Sequence, residues 1–142
     1  MSVTQRPVAE GLFEPADSAD GLPWLLGSGC VKCGEKVFPA MLDCPACVSR
    51  DSMRPVRLAG RGTLDRFVVA RRGPSGFRAP YIQGFVRLDN GPTIYSLIDG
   101  CPVADDALTL GEAMEMALVP VREDGEVTVI GWSFHPVARR DG

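Results

Sequence analysis

Four of the five cysteines share one short stretch: Cys30-Val31-Lys32-Cys33-Gly34, a ten-residue spacer, then Cys44-Pro45-Ala46-Cys47. In each C-x2-C pair the two intervening residues make a tight turn, which lets both sulfurs face one ion. Four thiolates in a tetrahedron form the closed coordination of a structural zinc, with no position left for water. Soft sulfur donors select zinc or iron over magnesium or calcium. Gly34 follows the first pair, where a positive φ is often required. Val48 stands at the matching place after the second pair, so that turn is less favourable. Lys32 and Lys36 would offset part of the negative charge of a metal tetrathiolate.

Two disulfides are the competing reading of the same residues. An iron site of the rubredoxin kind is the competing occupant, because spacing separates iron from zinc poorly. The metal reading ranks first. Nothing in the sequence suggests export, and cytosolic thiols stay reduced.

Other chemistry is sparse. There is one histidine, His135, and one cysteine outside the quartet, Cys101, in a Gly-Cys-Pro turn. A Cys–His nucleophile needs an orienting group that is not apparent here, so Cys101 reads as a structural thiol. Asp105-Asp106 and Glu123-Asp124 fall in expected loops and read as solvated. No P-loop, dinucleotide fingerprint or serine elbow is present. Outside the cysteines the best binding candidate is the segment holding Arg71, Arg72, Phe77, Arg78 and Tyr81. Its guanidinium groups and aromatics could hold phosphates and an apolar chain, as a nucleotide-linked thioester requires. A solvated basic loop is the plainer reading of the same residues.

These groups need elements to carry them. The chain has 142 residues, 45% apolar and 23% charged, which suits one compact domain with a small appendage. The expected organisation is an N-terminal arm (1–22), a zinc ribbon (23–50), a linker (51–60), a barrel (61–137) and a tail (138–142). In the arm, Phe13 is expected to dock on the ribbon or on another subunit, with a frayed tail an equal reading of the same stretch. Trp24 and Phe38 read as packing residues around the metal. Strands are expected at 62–70, 80–88, 93–98, 112–122 and 127–134, with a hairpin turn at Asp89-Asn90-Gly91-Pro92. The segment 112–122 has helix-like composition, but Met114, Met116 and Leu118 alternate, which favours a strand.

Five strands with a longer link after the third close best as a Greek-key barrel of OB type. The fold class is therefore mainly β, a rubredoxin-like zinc ribbon followed by a five-stranded OB-fold barrel. The expected interior is Phe67, Val69, Ile82, Val86, Ile94, Leu97, Met116, Leu118, Val127 and Ile130, leaving no internal ligand space. No apolar run reaches membrane-spanning length and no leader is evident at the N-terminus, so the cytoplasm is the expected location. A net charge of −3 argues against a polyanion as main partner, and aromatics at 7% are few for base stacking. A nucleic-acid-binding ribbon/OB module is therefore only the alternative reading.

Taken together, Cys30-x2-Cys33-Gly34, Phe38-Pro39, Cys44-Pro45-Ala46-Cys47, Gly60-Arg61-Gly62-Thr63 and Pro80-Tyr81 resemble a known pattern. It is that of the zinc-ribbon/OB-fold, thiolase-associated acyl-CoA-binding family, long catalogued as a domain of unknown function. The resemblance covers about residues 10–135, and Val48 departs from it where glycine is usual. It implies an N-terminal helical arm and structural zinc on Cys30, Cys33, Cys44 and Cys47. It also implies a role as accessory subunit to a thiolase-like catalytic partner that carries the reactive groups. Such a subunit would stabilise its partner and help bind acyl-CoA, in some relatives during breakdown of an aromatic compound. The ribbon and arm would then form the docking surface, and the Arg71–Tyr81 loop would meet the CoA.

Overall fold

The computed structural model describes residues 4–7, 11–18, 21–73, 79–89 and 91–137. Its elements are all strands: β1 (Thr4–Pro7), β2 (Phe13–Glu14), β3 (Trp24–Cys30), β4 (Lys36–Val37), β5 (Met53–Ala59), β6 (Arg61–Ala70), β7 (Tyr81–Leu88), β8 (Thr93–Ile98), β9 (Ala113–Asp124) and β10 (Val127–Pro136). The expected helical arm is absent from the described residues, which carry β1 and β2 instead. Proline, glycine and aspartate in that stretch disfavour helix and suit short edge strands.

Strands β6 to β10 close on themselves in the order β6-β7-β8-β10-β9-β6. All neighbours are antiparallel except β8 and β10, which run parallel. This is the five-stranded OB-like barrel expected from the spacing. The ambiguous segment 113–124 is a strand because its alternating methionines face the core: Met114 and Met116 are almost wholly buried. β1 lies parallel beside Val127–Ile130 of β10, on an edge that β8 leaves uncovered.

Ile82, Val86, Ile94 and Met116 occupy the interior as expected, with Phe67, Val69 and Leu118 packed against it. Leu97 does not belong there. With a period of two, Ile94 inside places Ser96 and Ile98 inside and Leu97 outside. Val127 and Ile130 are likewise only half-buried. A register shift between Val129 and Ile130 makes Val129 the fully buried residue of that stretch. A second bulge, between Leu64 and Arg66, explains why Leu64 and Phe67 both face inward although they are an odd number of positions apart.

Residues 53–59, expected as part of a linker, form a strand paired with β3 along its whole length, from Trp24↔Ala59 to Cys30↔Met53. Met53 and Leu58 are buried and Arg54 and Arg57 exposed, a burial pattern without regular alternation, so the pairing with β3 rather than a local signal makes this stretch a strand. Leu25 of β3 and Leu58 of β5 belong to the same buried cluster as Leu88, Met116 and Phe134 of the barrel. The base of the ribbon sheet thus shares the barrel's core. Phe13 and Phe38 meet the Trp132 ring edge-on at 5.8 and 5.7 Å, sealing this junction from the outside. Phe13 therefore docks on its own chain, and Arg57 holds the same arm through Glu14 and Asp17, each at 3.2 Å.

Candidate metal centre

Strand β3 delivers Cys30 at its end, and the chain then turns back on itself. The amides of Lys32 and Cys33 point at the Cys30 sulfur, each at 3.4 Å, and the Gly34 amide donates to the Cys30 carbonyl at 2.9 Å. The second pair repeats the turn. The Cys47 amide approaches the Cys44 sulfur at 3.5 Å, and the Val48 amide donates to the Cys44 carbonyl at 3.0 Å. The Glu35 carbonyl accepts from the Cys30 amide and the Ser49 carbonyl from the Cys44 amide, so the two knuckles are near copies. Amides aimed at sulfur stabilise thiolate over thiol.

The four sulfurs lie within 4.8 Å of one another. Cys30 and Cys47 are 3.7 Å apart, Cys33 and Cys44 3.5 Å. Sulfurs about 2.3 Å from one ion stand about 3.8 Å apart in a tetrahedron, whereas a disulfide needs about 2.05 Å. The arrangement fits a single metal ion and not the disulfide alternative. The donor set fits as well, being four soft anions with no carboxylate among them.

Charge makes the same point. The Ser52 hydroxyl and the Cys33 amide lower the Cys30 thiol to about 5. Cys33 is pushed up to about 12: the Glu35 amide lowers it, but Cys44, burial and the other two cysteines outweigh that pull. Four adjacent thiols cannot all ionise without a cation between them, and a bound dication removes the conflict. Ser49 and Ser52 belong to this site and the sequence reading missed them. Their hydroxyls bond each other at 2.6 Å, and Ser49 reaches the Cys47 sulfur at 3.0 Å. Their signal was position, two and five residues after the last cysteine, on the strand return that closes the knuckle.

Val48 adopts a φ of 60°, matching Gly34 at 82°. A β-branched residue in the left-handed region is strained. Its side chain is 81% exposed, so truncation loses almost no burial. Val48→Gly is expected to raise stability by about 1 kcal/mol, the relieved strain exceeding the added chain entropy of glycine. The midpoint of thermal unfolding of the metal-loaded protein checks this; an unchanged or lower midpoint would contradict it.

The other sequence candidates lie elsewhere. Arg71 and Arg72 follow the far end of β6 and are exposed. Arg71 pairs with Asp105 at 3.0 Å. Tyr81 opens β7, and its hydroxyl accepts from Gln83 at 3.2 Å. Phe77 and Arg78 fall outside the described residues. Cys101 packs half-buried against the barrel core. The barrel also carries a cleft the sequence did not suggest, about 230 Å3, lined by Ile82, Ile98, Val119 and Val121 with Asp99 and Ser133. It forms where β8 and β10 pair over two residues only, and Ser133 donates to Asp99 there at 2.9 Å. No helix among the described residues is long and apolar enough to cross a membrane.

Comparison with known proteins agrees with this architecture. The family described as ChsH2, C-terminal OB-fold domain, matches residues 55–119. A DUF35 domain-containing scaffold protein of Methanothermobacter thermautotrophicus is 32% identical, over 78% of this chain and 83% of its own. The benzoylsuccinyl-CoA thiolase subunit BbsA of Thauera aromatica is 30% identical, over 89% of this chain and 84% of its own. Among solved structures, an Ltp2-ChsH2(DUF35) aldolase matches with a TM-score of 0.61 and 26% identity, covering 80% of this chain and 84% of that one. With a cysteine-clasped ribbon rooted in an OB barrel, and with this identity over most of both chains, the protein belongs to the DUF35 family.

Proposed function

We propose that this chain is a non-catalytic, zinc-binding accessory subunit of a thiolase-type enzyme, one that makes or breaks a carbon–carbon bond of an acyl-CoA. One observation carries the reading: a subunit of benzoylsuccinyl-CoA thiolase is similar over nearly the whole chain. The relatives named as scaffold proteins support the accessory role. Zinc is the metal we assign, because a closed sulfur tetrahedron at the tip of a small ribbon suits a structural ion. The ribbon and barrel share one core, so the chain can present a rigid surface to a catalytic partner.

The partner supplies the reactive groups, and this chain stabilises it and helps hold the acyl-CoA. Arg71 and Arg72 are the residues we assign to the CoA phosphates, with Phe77, Arg78 and Tyr81 on the same segment. The ion pair of Arg71 with Asp105 is exposed, and such pairs exchange readily for a phosphate. An aromatic acyl group is the substrate class favoured by the thiolase relative.

Co-expression with a thiolase-like protein of the same organism tests the reading. The two are expected to co-purify, and the complex is expected to bind acyl-CoA more tightly than the partner alone. Arg71→Ala with Arg72→Ala is expected to weaken CoA binding by the complex about tenfold, as loss of charge-assisted phosphate contacts would. A chain that purifies alone and retains oligonucleotide would support the nucleic-acid alternative instead. Thioester cleavage by the chain alone would contradict the non-catalytic role.

A further inference from the structure

The first three barrel strands present a face whose composition does not suit solvent. Across β6, β7 and β8 the register sets Arg66 opposite Phe85 and Phe85 opposite Tyr95; the next row is Val68, Gln83 and Leu97. Val68 is 59% exposed and Tyr95 49%. The Arg66 guanidinium lies over the Phe85 ring at 4.6 Å, and the Phe85 and Tyr95 rings meet edge-on at 6.0 Å. Between them is a cavity of about 130 Å3, large enough for one anchoring side chain. Aromatics and arginine without lysine or glutamate are the composition of an interface centre.

The bulge in β6 creates this face. Uninterrupted alternation would turn Arg66 inward beside Leu64. The extra residue, Asp65, resets the alternation and turns Arg66 outward onto Phe85. Its charge is unanswered. Arg61 pairs with Glu115, Arg71 with Asp105 and Arg87 with Asp65, whereas among the described residues no carboxylate pairs with Arg66.

That charge selects the occupant. In a two-fold dimer built on this face, the same carboxylate-free rows would oppose themselves and Arg66 would stay unpaired. A single-stranded nucleic acid needs a track of positive groups, and these two rows offer one guanidinium on a chain of net charge −3. A different protein, presenting a carboxylate beside an apolar anchor, meets every feature. The arm is no competitor at residues 13–17, since Phe13, Glu14 and Asp17 are engaged with this chain itself.

We infer that the outer face of β6–β8, centred on Arg66, Phe85 and Tyr95, is the surface on which the thiolase-like catalytic subunit docks, with a carboxylate of that subunit on Arg66. This rests on the accessory-subunit reading and moves the place of contact to the barrel, away from the ribbon and arm where the resemblance put it.

The test measures the affinity of the full chain for the thiolase-like protein of the same organism with which it co-purifies. Arg66→Glu is expected to weaken binding about a hundredfold, and Tyr95→Ala about tenfold. Both side chains are exposed, so unfolding temperature and metal content should match the wild type. Leu42→Asp, on the exposed tip of the ribbon, is expected to change affinity less than about threefold, as peripheral contacts do. Wild-type affinity in both face variants would overturn the inference while leaving the accessory role intact, and so would loss of binding in Leu42→Asp alone. Self-association or retained oligonucleotide abolished by Arg66→Glu would overturn it in favour of those occupants. A wild-type chain that binds no such partner would overturn both readings.

Discussion

Stripping the metal, or replacing Cys30 and Cys44 together by serine, is expected to unfold residues 30–52 and leave the barrel standing. The reason is the division of the buried residues into two clusters. One contains the barrel interior together with Leu25 and Leu58 at the base of the ribbon sheet. The other, at the tip, is no more than Cys30, Cys44 and Met53, with Val37 against them. Val31, Met41, Leu42 and Val48 around it are exposed and contribute no core. A cluster of that size cannot offset the conformational entropy of some twenty ordered residues at about 1–2 kcal/mol each. The metal must, and structural zinc contributes about 10–16 kcal/mol in comparable small folds.

Hydrogen exchange would read the outcome by position. Protection of the Val31, Gly34, Cys44 and Val48 amides should vanish on chelation, because their acceptors lie within the knuckles and their return. Amides of β7 and β8 should keep their rates. Elemental analysis should show stoichiometric zinc before treatment and none after. A metal-free chain with unchanged protection across residues 30–52 would refute the account.

The second large effect is expected at Gly60, the residue between β5 of the ribbon sheet and β6 of the barrel. A Cβ there would lie 2.6 Å from the Pro23 carbonyl oxygen and 2.9 Å from the Met116 Cβ. Neither neighbour is the free end of a flexible side chain. Met116 is almost wholly buried, and its amide is held by the Gly60 carbonyl at 2.8 Å. Relief therefore requires the ribbon sheet to move off the barrel, opening the shared core. Gly60→Ala is expected to cost about 3 kcal/mol, at the upper end for overpacking. That corresponds to roughly a 10 °C fall in unfolding temperature for a domain of this size. Trp132 reports the movement, since Phe13 and Phe38 cover it at this junction. In a Trp24→Phe background, its emission should shift to longer wavelength in the glycine variant. A fall under about 3 °C with unchanged emission would show that the junction can accommodate the methyl group.

Much of the chain was legible from residue order alone. The cysteine quartet was, because two close pairs a short spacer apart can meet at one ion whatever surrounds them. The barrel strands were, because β-branched residues, alternation and turn residues are local signals. Even the helix-like segment at 113–124 declared itself through the spacing of its methionines.

Other features required the folded chain. Residues 53–59 look like a connector beside Gly60 and Gly62, and only pairing with the remote β3 makes them a strand. Leu97 was assigned to the core on hydrophobicity, while the pleat, fixed by Ile94 and Ile98, turned it outward. The Asp65 bulge is silent in the sequence, yet it decides that Arg66 leaves the core side and stands over Phe85. Ser49 and Ser52 became part of the metal centre only when the return strand brought them back to the sulfurs. The sequence by itself determined which groups can hold a metal and which stretches are extended, because both depend on near neighbours along the chain. The tertiary structure alone decided which face each residue presents and what lies across from it, because pairing register and bulges are set by contacts between residues distant in sequence.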